Sequence, residues 1–176
     1  VQVRRPLFGT ECKQFGNVHD FPLLPWYAAT SSARLLIITV SPDRTLPMTD
    51  PSIAKNIAKL TDRIRIASQK CDRDSSEILL LAVSKTRPAS AIRAAAAAGI
   101  TDIGENYLQE ALIKIDQLDD LDLCWHFIGP IQSNKTRAIA EHFDWVHSVD
   151  RLKIALRLND QRPSGMPPLN VCLQVN

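Results

Sequence analysis

The chain has 176 residues, of which 45% are hydrophobic and 23% are charged. This length and composition are typical of one globular domain, with or without an appendage, and exclude a disordered chain. The 21 Lys and Arg nearly balance the 19 Asp and Glu, so the charge does not predict binding to nucleic acid or to an anionic membrane. No run approaches the roughly 18 apolar residues of a membrane span.

Residues 1–47 differ in character from the rest of the chain. They contain five of the 11 prolines and show no sustained helical or strand period. The apolar run at 35–40 is too short for most signal-peptide cores. We expect residues 1–47 to be mostly irregular and outside the domain. Met48 resembles a natural start, which leaves three origins open for the preceding residues: an upstream translation, a vector remnant or a real extension.

Helices and strands alternate from Met48 onward. Asp50 and Pro51 are typical of a helix start, and apolar residues then recur at helical spacing as far as Cys71. The nearly continuous apolar run at 78–84 predicts a strand buried on both faces. The remaining predictions are helix 90–98 closed by Gly99, strand 102–105, helix 109–118, strand 124–128, helix 133–142, strand 145–149, helix 151–159 and strand 169–175.

This alternation is compatible with an open doubly wound sheet or with a (β/α)8 barrel. The open sheet usually has a glycine-rich turn after its first strand, whereas residues 84–88 read SKTRP. A barrel typically needs about 250 residues, so residues 48–176 would supply about five of its eight strands. The predicted fold class is therefore α/β, and either the chain is a truncated barrel or the barrel interpretation is wrong.

Polar residues at the ends of the predicted strands form the candidate site, because barrel chemistry lies at the carboxyl ends of the strands. These residues are Lys85, Asn106, His126 and Ser148. A desolvated lysine amine is a nucleophile suited to an aldehyde. The cysteines and histidines show no zinc-ligand spacing. We therefore predict reduced thiols, a cytoplasmic protein and no metal site.

Each candidate also has a simpler explanation. Lys85 could emerge into solvent at the strand end, and His126 could be a core histidine with both ring nitrogens satisfied. Asn106 could cap the helix that follows it, and Asp150, close to Ser148, could cap the helix that begins at 151. The spacing of the residues does not decide between these alternatives.

Four strings in the second part carry a specific resemblance. They are LLAVSKTRP at 80–88, GENYLQE at 104–110, WHFIGPIQSNK at 125–135 and HFDWVHSVDR at 142–151. In this order and at these separations they resemble the pyridoxal phosphate homeostasis protein (YggS/PROSC) family. The resemblance covers residues 48–176 and none of 1–47. We therefore divide the chain into an unmatched extension, 1–47, and the N-terminal part of a cofactor-binding barrel, 48–176.

The resemblance implies a barrel like the N-terminal domain of alanine racemase, with pyridoxal 5′-phosphate (PLP) held as a Schiff base on Lys85. Asn106, His126 and Ser148 would surround the cofactor, and no residue would be catalytic. The implied function is a carrier that maintains PLP levels in the cell, with PLP-dependent apo-enzymes as candidate partners and a monomeric full-length relative.

Two alternatives to the carrier stay open. One is a PLP-dependent enzyme similar to an amino-acid racemase, in which Lys85 would also act as an acid and base. The other is a truncated fragment without function. Family members continue past residue 176 with segments that hold the phosphate, so we expect this chain to bind PLP weakly or not at all. We also expect its last strand to be exposed and prone to pairing.

Overall fold

The computed structural model describes the backbone of residues 34–38 and the chain from 51 to 175. The described residues form one parallel sheet whose strands lie in chain order. The strands are β1 (Arg34–Ile38), β2 (Ile78–Val83), β3 (Asp102–Glu105), β4 (Cys124–Phe127), β5 (Trp145–Val149) and β6 (Asn170–Leu173). The helices are α1 (Pro51–Gln69), α2 (Ala89–Ala97), α3 (Leu108–Gln117), α4 (Thr136–His142) and α5 (Leu152–Gln161).

The order of the strands decides between the two predicted architectures. Every neighbouring pair from β1 to β6 is parallel, and the order never reverses. A doubly wound sheet contains a point at which the order reverses, whereas a barrel is wound in one direction. The sheet is therefore that of an incomplete (β/α)8 barrel, as predicted.

Strand β1 is an element within residues 1–47 that the sequence analysis did not predict. It pairs in parallel with β2, from Arg34 opposite Ile78 to Ile38 opposite Ala82. The strand reads RLLII, and its two isoleucines favour a strand. The sequence prediction missed it because the apolar run stands alone, without a neighbouring periodic element. The rest of 1–47 lies outside the described residues, so the irregular structure expected there stays a prediction.

The core lies between the sheet and its helices. Ile103 and Phe127 belong to one buried cluster with residues of the helices, and the Phe127 ring meets that of Phe143 edge-on, with centroids 5.3 Å apart. Because side chains alternate along a strand, Glu105 lies on the same face of β3 as Ile103. Asp102 and Gly104 lie on the opposite face. His126 lies on that face too, because the register places it beside Gly104.

The predicted element bounds from Pro51 onward agree with the structure to within two residues, except at the start of α4. Gly99 closes α2 with a φ of +91°, in the left-handed region that favours glycine. Helix α4 begins at Thr136 rather than at residue 133, and the Ser133 carbonyl accepts hydrogen bonds from Thr136 Oγ1 and Arg157 Nε, both at 3.0 Å. Within the described ranges, no helix has the length and apolar character needed to cross a membrane.

Candidate functional site

The ends of neighbouring strands bring Lys85, Asn106 and Ser148 to one edge of the sheet. The pairing of β2 with β3 extends to the Ser84 amide, which donates to the Gly104 carbonyl at 3.0 Å. A Cβ on Gly129 would lie 2.3 Å from the Asn106 carbonyl oxygen, and Ser148 Oγ donates a short hydrogen bond to the Gly129 carbonyl. The carboxyl ends of β2, β3, β4 and β5 therefore form one continuous polar edge.

Lys85 is the first polar side chain of this edge. It lies two residues after Val83, the last residue of β2, and is partly buried. The Ser84 hydroxyl is directed to Glu105 on the helix-facing side of the sheet, so alternation directs the next side chain to the opposite side. Among the described residues the Lys85 amine has no hydrogen-bond or ion-pair partner. A primary amine near the carboxyl edge is thus available for a ligand.

Asn106 has an unsatisfied polar atom at the same edge. Its Oδ1 is buried and lacks a hydrogen-bond partner within the described part of the chain. The capping explanation for Asn106 is wrong, because Tyr107 takes the cap position of α3 and no side chain caps that helix. A buried amide oxygen without a donor is costly. The position therefore fits a bound group that donates a hydrogen bond.

His126 is buried at the centre of a hydrogen-bonded chain of three side chains, here called the histidine chain. Its Nε2 lies 3.0 Å from Asp102 Oδ1, and its Nδ1 lies 2.9 Å from His147 Nε2. The indole of Trp145 stacks on the His126 ring at 5.7 Å between centroids. Both ring nitrogens are thus engaged, as the simpler explanation requires. A contact between His126 and a cofactor would use ring carbons, and it stays a prediction.

Burial sets the charge along the histidine chain. It lowers the pKa of His147 to about 3, with a smaller contribution from His126, so His147 is neutral near pH 7. Burial acts to raise the pKa of Asp102, but hydrogen bonds from His126 and Thr101 outweigh it and hold the pKa below its ordinary value. An ionised Asp102 carboxylate can only accept, so His126 Nε2 is the donor in that bond.

Ser148 and Asp150 have separate roles at the end of β5. Ser148 is buried, and its proton is used in the bond to Gly129, while its oxygen keeps the capacity to accept. The capping explanation for Asp150 is wrong: its carboxylate pairs with the Arg151 guanidinium at 3.0 Å, and no side chain caps α5. Contact between Ser148 and a cofactor stays a prediction.

Sequence reasoning missed a buried ionic group behind Lys85. Lys114 Nζ donates to the Ser84 carbonyl at 2.8 Å and to one carboxylate oxygen each of Glu105 and Glu110 at 2.6 Å. Ser84 Oγ donates to the same Glu105 oxygen at 2.6 Å. We call Ser84, Glu105, Glu110 and Lys114 the Lys114 cluster. One sequence signal was present, because Lys114 interrupts the apolar stripe of α3 four residues after Glu110.

Burial also shifts the pKa of one acid in the Lys114 cluster, Glu105. It raises the pKa of Glu105 above the ordinary value, and the charge of Glu110 acts in the same direction. Hydrogen bonds from Lys114 and Ser84 oppose this shift without cancelling it. The second Glu105 oxygen, Oε2, is buried without a hydrogen-bond partner within the described residues. Glu105 is therefore the least satisfied member of the cluster.

One group of side chains in the described residues has the composition and spacing of a metal site: Asp102, Cys124 and His126. Their ligand atoms lie within 4.8 Å of one another, and the prediction from spacing missed them because they come from two strands. Burial, followed by the charges of Asp102 and Asp144, raises the pKa of Cys124 to about 12. The thiol therefore keeps its proton, and Asp102 already accepts from His126.

Comparison with known proteins bears on the fold and on the family of the chain. The family model for the alanine racemase N-terminal domain matches residues 56–176. The pyridoxal phosphate homeostasis protein of Pseudomonas aeruginosa is 70% identical over 125 residues, which are 71% of this chain and 54% of that protein. The protein of the same name from Escherichia coli K12 is 57% identical over 127 residues, 70% of this chain and 54% of that protein.

A solved structure agrees with this match. PipY of Synechococcus elongatus PCC7942, solved with PLP bound, is 46% identical and gives a TM-score of 0.53 over 62% of this chain and 48% of that chain. It was also solved without PLP.

The chain belongs to the alanine racemase N-terminal domain family. The resemblance to pyridoxal phosphate homeostasis proteins, predicted from four strings, is confirmed at 50–70% identity. The chain spans about half the length of these curated relatives.

Proposed function

We propose that this chain carries the lysine-bearing part of a PLP site and takes part in keeping the PLP supply of the cell. One observation carries the proposal. Within the described residues, the Lys85 amine has no partner and the buried Asn106 amide oxygen has no donor, and both residues lie at the same polar edge. The names of the curated relatives and the PLP-bound structure of PipY support it.

The chemistry of PLP matches these side chains. Its aldehyde condenses reversibly with a neutral primary amine and releases water, and a phenolic oxygen stands beside the aldehyde. Lys85 would supply the amine, and the Asn106 amide would offer a donor and an acceptor beside it. Ser148 Oγ would be a further acceptor at the same edge. His126 would contribute ring contact.

We propose a carrier rather than a catalyst. A racemase needs a second group opposite the lysine that donates and accepts a proton, and tyrosine is one residue type that can do so. Tyr107, the one tyrosine among residues 51–175, is instead 59% exposed at the start of α3. The relatives are named for homeostasis, which favours reversible capture and release over turnover. Recipient apo-enzymes would then take PLP from this chain. We assign no catalytic residue.

The test is an absorbance titration of the purified chain with PLP, carried out for the unchanged protein, Lys85→Ala and Lys153→Ala. Lys153 is an exposed lysine of α5 and serves as the matched control. We expect the unchanged protein and the control to give the same saturable change near the PLP band and Lys85→Ala to give none. Equal titration of all three would contradict the proposal. Racemisation of L-alanine by the loaded chain would favour the racemase alternative.

A further inference from the structure

Both neighbours of Lys85 in the sequence are bonded to the Lys114 cluster. On one side, the Ser84 carbonyl accepts from Lys114 Nζ at 2.8 Å. On the other side, the Thr86 amide donates to Glu110 Oε1 at 2.7 Å, and the same oxygen accepts from Lys114 at 2.6 Å. The backbone before Lys85 is thus bonded to the Lys114 ammonium directly, and the backbone after it is bonded to the ammonium through Glu110.

The ammonium at the centre of the cluster has no further bond to make. A lysine has three donors, and the three partners of Lys114 are the Ser84 carbonyl, Glu105 and Glu110. Its side chain is 6% exposed and that of Glu105 is fully buried. Water therefore has little access to the ammonium, and its bond to the Ser84 carbonyl fixes α3 relative to the end of β2.

The turn that carries Lys85 adopts a conformation that needs such support. Thr86 has a φ of +63°, in the left-handed region that a β-branched residue rarely occupies. The Arg87 amide donates back to the Ser84 carbonyl at 3.0 Å and closes the turn. A strained backbone persists only where its surroundings hold it in place. Here the holding contact is the bond from Thr86 to Glu110.

We propose that Lys114, Glu105 and Glu110 are positioning residues for Lys85. The cluster lies on the helix-facing side of the sheet, and its bonds to Ser84 and Thr86 direct the intervening side chain to the opposite side. An ion pair that served stability alone would not need two bonds to the backbone that flanks one lysine. This inference rests on the proposed function, since it concerns the amine that takes the aldehyde.

We choose Glu110 for substitution because its replacement should leave the fold intact. Its side chain is 31% exposed, and the buried Lys114–Glu105 pair remains in the variant. Three variants are compared with the unchanged chain: Glu110→Ala, Glu110→Gln and the control Asp116→Ala, an exposed acidic residue of the same helix. Hydrogen exchange of the Thr86 amide reports on the turn without any ligand. Borohydride reduction with PLP, followed by peptide mass mapping, reports on Lys85.

We expect Glu110→Ala to speed exchange at Thr86 and to weaken PLP capture at Lys85 by about tenfold, the value of one hydrogen bond to a charged group. Glu110→Gln, which keeps an oxygen for the Thr86 amide, should recover part of the loss, and Asp116→Ala should match the unchanged chain. Faster exchange with unchanged capture would overturn the positioning role and leave the proposed function standing. Absence of capture at Lys85 in the unchanged chain would overturn the proposed function itself.

Discussion

The Lys114 cluster and the histidine chain are two buried polar groups that share strand β3 and differ in charge. Glu105 of the cluster lies on the helix-facing side, and Asp102 of the histidine chain lies on the other side three residues earlier. The cluster is built on an ammonium with three oxygen partners. The histidine chain ends in a His147 that burial keeps neutral.

This difference shows how one strand can serve two purposes. Charged side chains of the cluster form hydrogen bonds with the backbone on each side of Lys85, so the cluster acts on the candidate site. The histidine chain links β3, β4 and β5 through side chains alone, so it stabilises the interior of the sheet. The following tests separate these two roles.

Removal of the ammonium should have the largest effect. Lys114→Met leaves the fully buried Glu105 carboxylate without its cation, and we expect the free energy of unfolding to fall by about 3–5 kcal/mol. Because a buried pair replaced as a whole by apolar residues is often nearly neutral, Lys114→Met combined with Glu105→Met should recover most of this loss. Urea unfolding measures both. A double variant as unstable as the single one would show that the pair is not the unit of stability.

The histidine chain should make the protein sensitive to acid. The pKa of His147 is lowered to about 3 when folded, from an ordinary 6.5, so its contribution to stability is complete above pH 6.5. It is lost as the pH falls from 6.5 towards 3, by about 1.4 kcal/mol per pH unit. Glu105 acts in the opposite direction, since its raised pKa favours the folded state at low pH.

Thermal unfolding between pH 7 and pH 4 measures this sensitivity. His147→Leu should remove most of the dependence between pH 6.5 and pH 4.5, whereas Lys153→Ala should leave it unchanged. A His147→Leu protein that loses stability with acid as steeply as the unchanged chain would refute the account of the histidine chain.

A smaller effect is expected at Gly129, where the ends of β3 and β4 approach each other beside the site. An added Cβ would lie 2.3 Å from the Asn106 carbonyl oxygen, so the backbone must shift in Gly129→Ala, at about 1–3 kcal/mol. Gly165→Ala is the matched control, because no atom lies within 4 Å of its Cβ position. Similar urea midpoints for the two variants would contradict this prediction, because they would show that the strand ends move apart without loss of stability.

Much of the fold could be predicted from the sequence because local patterns determine it. Apolar runs such as 78–83 identified the strands, and Gly99 marked the end of α2. Strand β1 was missed because its pairing with β2 joins segments 44 residues apart, from Arg34 to Ile78. No local pattern carries a contact of that kind.

The candidate site could be predicted only in part. Lys85 and Asn106 were chosen as candidates because they closely follow strands, a rule that applies in any barrel, and their roles stay predictions. The partners of Lys114 come from β2, β3 and α3, so their convergence depends on packing that the sequence does not display. The alternative explanation of Asn106 and Asp150 as helix caps is wrong, because Tyr107 and Arg151 take the cap positions.

The most direct test of the central claim is borohydride trapping of the purified chain with PLP, followed by peptide mass mapping, alongside Lys85→Ala. The account predicts one main phosphopyridoxyl adduct on the peptide that contains Lys85, and its loss in the variant. Adducts spread over many lysines, and unchanged by the substitution, would contradict it.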